Sequence, residues 1–179
     1  MTNIAMRASP GYPGRTYRYY TPGGRFEAPL YDYGHGLSYT TFAISVRPGG
    51  LVASAGAVQA TVNVRNSGTF RADTAVLAFM RYLGPSATGS PGPFPRATIR
   101  QSGCTAAATS TPLVKRLVGY QRTAQLAPGA SATLTFKLSL AGGSKSAWAG
   151  FGNQAPPCGT YTLRFGVEQP EIATVVLAR

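Results

Sequence analysis

The feature that most constrains this chain is a two-residue alternation of apolar and polar side chains that recurs in separate segments. Successive side chains of a β-strand point to opposite faces, so the pattern marks strands with one buried and one wet side. In residues 57–66, Val58, Ala60, Val62 and Val64 share one face, while Gln59, Thr61, Asn63 and Arg65 share the other. In 131–138, Ala132, Leu134, Phe136 and Leu138 alternate with Ser131, Thr133, Thr135 and Lys137, directly after the turn pair Pro128-Gly129. In 160–167 the apolar set is Tyr161, Leu163, Phe165 and Val167. Residues 74–83 differ, because Val76, Ala78 and Met80 on one parity face Ala75, Leu77 and Phe79 on the other. That segment predicts a strand covered on both sides, whose second face must meet another surface such as a neighbouring domain.

Weaker alternation at 41–46, 117–123 and 172–177 brings the count to about seven strands, which predicts an all-β, antiparallel two-sheet sandwich. The 22 glycines and 14 prolines in 179 residues punctuate the chain too often for many long helices. Residues 84–112 are rich in Gly, Pro, Ser, Thr and Ala and carry no strand period, so they read as one long surface loop.

The first forty residues have a different character. Tyr12, Tyr17, Tyr19, Tyr20, Phe26, Tyr31, Tyr33 and Tyr39 are interleaved with Arg7, Arg15, Arg18 and Arg25 and broken by Pro-Gly and Gly-Gly pairs. This pattern predicts neither a helix nor a regular strand. Eight rings on an irregular segment would expose more apolar surface than monomers ordinarily carry, so the leader is expected to lie against a protein surface. Stacking on sugars is the competing use of the same rings and guanidinium groups.

The net charge of +12 raises nucleic acid as a partner, but the distribution argues against it. Fourteen of the 17 basic residues are Arg, spread singly apart from Lys115-Arg116, with no basic run of the kind that forms a binding arm. No uninterrupted apolar run is long enough for a membrane span, and residues 3–15 lack the apolar core of a signal peptide. Neither nucleic acid nor a membrane is therefore expected as a partner.

Catalytic chemistry is equally thin. The five carboxylates are Glu27, Asp32, Asp73, Glu168 and Glu171, and each falls in the leader or in a turn. Glycoside hydrolysis needs two of them about 5–5.5 Å apart, or about 6.5–9.5 Å for inversion. His35 is the only histidine, and it lies within Tyr33-Gly34-His35-Gly36. No metal site, nucleotide loop, cofactor site or Ser-His-Asp relay is expected. Cys104 and Cys158 are far apart and lack metal-type spacing, so they are a candidate disulfide in an oxidising compartment and otherwise two small unpaired side chains.

Several passages together resemble a known family. They are 13–20, Pro-Gly-Arg-Thr-Tyr-Arg-Tyr-Tyr, and 29–42, Pro-Leu-Tyr-Asp-Tyr-Gly-His-Gly-Leu-Ser-Tyr-Thr-Thr-Phe. Further along come Val62-Asn63-Val64-Arg65-Asn66-Ser67-Gly68, then 115–120, Leu126-Ala127-Pro128-Gly129 and 159–163. In order and spacing these resemble the C-terminal region of family 3 glycoside hydrolases, and the opening Met1 to Arg7 with Gly11-Tyr12-Pro13 resembles the plant-type β-xylosidase and arabinofuranosidase branch. Tyr33 and Tyr120 stand where the family usually has Phe, and the 84–112 loop is longer than the family pattern.

The resemblance implies a fibronectin type III-like, immunoglobulin-like sandwich over 41–179. It implies that 1–40 is the end of a preceding α/β sandwich domain and the linker that lies on it. The nucleophile and acid/base carboxylates of such enzymes come from domains that precede this region, so no catalytic residue carries over. The implied partners are those catalytic domains, contacted through Arg15, Tyr17, Arg18, Tyr19, Tyr31, Tyr33, Leu37 and Tyr39. The implied role is structural support of a secreted β-xylosidase or β-glucosidase acting on hemicellulose outside the cell or in the cell wall, and an independent polysaccharide-binding module is the alternative.

Overall fold

A computed structural model of the chain describes residues 6, 9, 11–54, 57–84, 96–100, 115–139, 158–167 and 173–178. These form one four-residue helix, α1 (Thr16–Tyr19), and eight strands. The strands are β1 (Phe42–Ser54), β2 (Ala57–Asn66), β3 (Ala75–Gly84), β4 (Arg96–Arg100), β5 (Arg116–Arg122), β6 (Ser131–Ser139), β7 (Gly159–Phe165) and β8 (Ala173–Ala178). They assemble into a three-stranded sheet, β1-β2-β6, and a five-stranded sheet, β4-β8-β7-β3-β5. The chain is thus an all-β two-sheet sandwich, as the alternation predicts.

The alternating residues meet between the sheets. In the first sheet β2 and β6 are antiparallel, with Val58 opposite Leu138, Ala60 opposite Phe136 and Val62 opposite Leu134. In the second, β3 pairs antiparallel with β7, which sets Met80 opposite Leu163 and Ala78 opposite Phe165. Val58, Ala60, Val62, Val64, Val76, Ala78, Phe136, Tyr161, Leu163 and Phe165 are all buried in this single core. The Phe136 and Phe165 rings sit 5.1 Å apart, joining the sheets by aromatic contact.

Two departures from the sequence reading have physical causes. β1 runs well past the expected end at Val46, because a register shift between Val46 and Leu51 absorbs the intervening Arg-Pro-Gly-Gly. Pro48 is tolerated because β1 is an edge strand, where a missing N–H breaks no ladder. The stretch 84–112 is not wholly a loop, since β4 lies inside it and pairs in parallel with β8, Ile99 opposite Leu177. A five-residue edge strand is held by backbone pairing to its neighbour and is too short to display a period of its own.

The corner after β2 is held by one amide. Asn66 is fully buried. Its Nδ2 donates to the carbonyls of Phe70 (2.7 Å) and Leu126 (2.9 Å), while its Oδ1 accepts from Thr40 Oγ1 (2.8 Å) and from the Gly68 amide (3.1 Å). A Cβ at Gly68 would lie 2.2 Å from Thr40 Oγ1, so the corner closes only around glycine. Replacing Asn66 by Ala strands several buried polar groups, each costing about 1–3 kcal/mol. Asn66→Ala is therefore expected to lower unfolding free energy by about 3 kcal/mol in a urea titration, and a loss below about 0.5 kcal/mol would show that the network does not hold the corner.

Tyr161 is buried beside Tyr82, with ring centroids 4.9 Å apart, and burial pushes its phenol pKa far above the usual value. A folded pKa raised above the unfolded one gives stability that is complete below the unfolded phenol pKa of about 10 and is lost as pH rises above it. Thermal melts are expected to show an alkaline decline beginning near that pH, and Tyr161→Phe should flatten it.

Candidate functional site

The aromatic leader is built from short turns. Ser9 and Tyr12 exchange backbone hydrogen bonds, as do Gly23 and Phe26. The Tyr20 amide donates to the Thr16 carbonyl, which closes the single turn of α1, a turn that the sequence did not predict. The Tyr20 hydroxyl donates to the Glu27 carbonyl and ties the two limbs of the 20–27 loop together.

The leader settles on the outer face of β3. Tyr17 and Tyr33 stack at 4.0 Å between centroids, with planes 11° apart. Both present themselves edge-on to Phe79, at 6.1 and 6.3 Å. Phe79 keeps only 3% of its surface exposed. The Tyr17 hydroxyl accepts from the Leu117 amide of β5 at 3.5 Å. Lys115 Nζ lies 5.5 Å from the Phe79 ring centroid and 3.3 Å from Asp32 Oδ1, so one ammonium serves both an aromatic face and a leader carboxylate. Beside them Gly34 lies so close to β3 that a Cβ would fall 2.3 Å from Leu77 Cδ1. The second apolar face of 74–83 thus meets the chain's own leader.

The residues expected to dock on a partner are therefore divided. Tyr17 packs toward Phe79 and Tyr33 stacks on it while staying 48% exposed, Arg15 Nε donates to the Tyr12 hydroxyl at 3.0 Å, and Arg18 Nε donates to the Tyr17 hydroxyl at 3.4 Å. Tyr19 is half-buried. Leu37 and Tyr39 are 98% and 94% exposed, and Tyr31 is 64% exposed with its ring stacked on His35. Leu30, which sequence reasoning did not single out, joins them at 87% exposed. Its sequence signals are its apolar character within an aromatic segment and its place in the 29–42 passage.

Between the leader limbs lies a cleft of about 1030 Å³, lined by tyrosines 17, 20, 31 and 33, by Pro22 and Pro29, and by the Asp32–Lys115 pair. No described pair of carboxylates faces it. Asp32 is held by Lys115, and Asp73 lies with Arg122, whose guanidinium holds its carboxyl below the usual range. Glu168 and Glu171 lie outside the described residues. Among the described residues no three His, Cys, Asp or Glu side chains gather as a metal site, and no helix is long and apolar enough to cross a membrane. Cys104 is outside the described residues; no described cysteine is free, and the Cys158 carbonyl accepts from the Tyr82 hydroxyl at 3.0 Å.

No family model matches the chain. The "Probable exo-1,4-beta-xylosidase bxlB" of Aspergillus terreus is 28% identical over 178 residues, which is 94% of this chain and 19% of that protein. The "Probable exo-1,4-beta-xylosidase xlnD" of Neosartorya fischeri is also 28% identical, over 97% of this chain and 21% of its own length. Among solved structures, a family 3 exo-beta-xylosidase, XlnD, in complex with a xylobiose aziridine probe superposes with a TM-score of 0.65 at 23% identity, over 98% of this chain and 22% of that one. A beta-glucosidase from Listeria innocua gives 0.60 at 18% identity, over 92% and 21%. Over nearly all of its length the chain is similar to curated exo-1,4-beta-xylosidases, and its fold to that of a solved family 3 exo-beta-xylosidase. It spans about a fifth of the length of the curated relatives it matches.

The leader's seat on β3 makes Gly34 a sensitive position, since its φ of +90° and its contact with Leu77 both disfavour a side chain. Gly34→Ala is expected to loosen the leader by about 1.4 kcal/mol or more, a tenfold or greater gain in trypsin cleavage after Arg15, Arg18 or Arg25. Unchanged cleavage would show that the Gly34–Leu77 approach does not hold the leader.

Proposed function

We propose that this chain is the non-catalytic, fibronectin type III-like accessory region of a secreted family 3 β-glycosidase of the β-xylosidase or β-glucosidase type. It supports the catalytic domains of an enzyme acting in hemicellulose breakdown. The observation that carries this reading is the exposure of Leu30, Tyr31, Leu37 and Tyr39 along a leader that seats Tyr17 and Tyr33 against Phe79 of β3. Large apolar side chains left in water along one segment are the kind of exposure that marks an interaction surface. The relatives' lengths agree with it, because nearly all of this chain matches about a fifth of each. On this reading residues 1–40 hold the end of a preceding domain and the linker, and 41–179 hold the accessory sandwich, with Cys104 and Cys158 bridged.

The purified chain is expected to show no turnover of aryl β-xylosides or β-glucosides. Substituted for the matching fifth of the Aspergillus terreus protein, it is expected to yield a chimera that hydrolyses those substrates. Leu37→Asp with Tyr39→Asp should lower the chimera's melting temperature by several degrees while leaving the isolated chain's unchanged. Hydrolysis by the isolated chain, or equal effects of the double variant in both settings, would refute the reading.

The cleft favours a second use, since aromatic rings beside an ion pair can stack on pyranose faces and bond their hydroxyls. Calorimetric titration with xylo-oligosaccharides decides it: saturable binding abolished by Tyr20→Ala or Tyr31→Ala would make the region a polysaccharide-binding module in its own right.

A further inference from the structure

The leader brings two phenols into face-to-face contact at the surface. The Tyr17 and Tyr33 rings lie 4.0 Å apart between centroids with planes 11° apart, so ring carbons of one rest against ring carbons of the other. A second tyrosine contact, Tyr82 with Tyr161, is tilted by 42°, and its Tyr161 is buried in the core. The leader pair is reachable instead, since Tyr33 keeps 48% of its surface exposed and both rings line the cleft. It is also held in place. Phe79 meets both rings edge-on, and the Leu117 amide and Arg18 Nε both donate to the Tyr17 hydroxyl. Holding two reactants in contact converts a step between separate partners into an intramolecular one, with a large gain in rate. Here the two reactants are phenols, and the reaction open to a pair of phenols is oxidative coupling.

We propose that Tyr17 and Tyr33 are a site of oxidative modification, joined ring to ring as an intrachain dityrosine by a haem peroxidase with hydrogen peroxide. The site goes beyond the accessory reading and does not depend on it. Each phenol gives up one electron and its hydroxyl proton, and the peroxide takes both electrons and both protons to become two waters. The two phenoxyl radicals then pair their electrons in a carbon–carbon bond between ortho positions of the facing rings. Each ring sheds the proton at its new bond while its oxygen takes one from solvent, which restores both phenols and leaves the chain short of two hydrogens. The bond ties together the two limbs of the leader that flank the cleft and fixes them at Phe79. Such a cross-link acts as a disulfide does, by limiting the conformations open to the loosened chain. Tyr39, 94% exposed and in no ring stack among the described residues, meets the same oxidant but finds a partner ring only on a second molecule.

The full chain, diluted until it is monomeric, is treated with a haem peroxidase and hydrogen peroxide and then digested with trypsin. The expected product is residues 16–18, whose single tyrosine is Tyr17, joined to the peptide that begins at Phe26. Fragmentation should place the bond on Tyr33, with the joined mass short of two hydrogens. Its yield is expected to be independent of protein concentration, whereas coupling through Tyr39 rises with it. Tyr33→Phe keeps a ring in the stack and removes the phenol, so it should abolish the product, as should Tyr17→Phe, while Tyr39→Phe leaves the yield unchanged. A second measurement needs no variant: in denaturing urea the wild-type yield is expected to fall about tenfold, because the contact that aligns the rings is gone. Equal yields from the native and denatured chains, coupling confined to Tyr39 and to dimers, or a 16–18 cross-link that survives Tyr33→Phe would overturn the site.

Discussion

Strand β3 has to bury both of its faces, and much of the molecule is organised around that requirement. Its inner residues, Val76, Ala78 and Met80, form part of the sandwich core, and its outer residues, Leu77 and Phe79, need a cover that no second sheet provides. The leader supplies it with the Tyr17–Tyr33 stack and with the bare backbone of Gly34. Burial of Phe79 is thereby joined to the placement of a segment that otherwise has only short turns to hold it. The rest of the leader follows from the anchor: with Tyr17 and Tyr33 held at Phe79, the intervening limb must arch away from the sheet. That arch leaves a cleft and turns Leu30 and Tyr31 outward.

The sandwich itself was legible because period two is a strong signal wherever one face is buried and the other is wet. Residues 57–66 and 131–138 carry it without interruption, and both lie in the same sheet as paired neighbours. β7 was legible for its apolar set, yet its polar Thr160 and Thr162 are buried too, because the strand lies between β3 and β8. The lengths of β1 and the existence of β4 were not legible. A proline and two glycines interrupt β1 at a bulge that only its register with β2 reveals, and β4 depends on its parallel neighbour β8. Parallel pairing of a short edge strand is a long-range property, and no local pattern in the strand itself encodes it.

At the candidate site the sequence identified the right residue types but not their division of labour. Leader tyrosines at 17, 33 and 39 look alike in composition, yet two of them pack on β3 and one stands almost wholly in water. What separates them is distance along an irregular path from the single ring at Phe79, which alternation and spacing do not convey. The requirement that 74–83 meet a second surface was readable. That the surface belongs to the same chain was not, because it depends on Gly34 allowing contact with Leu77 that any side chain would block.

The two kinds of surface on the leader have different physical consequences. An intramolecular anchor requires no association entropy, so the Tyr17–Tyr33 seat can persist whether or not a larger enzyme body is present. The exposed row carries no such advantage, and its contribution appears only when a partner meets it. An apolar row alone fixes orientation poorly, since hydrophobic contact is non-directional. Directional groups would turn adhesion into register, and the Lys115–Asp32 pair, which lines the same cleft as Tyr31, is one such group. On the proposed reading, a region that supports a catalytic body must hold it at one angle, which calls for directional contacts as well as an apolar row.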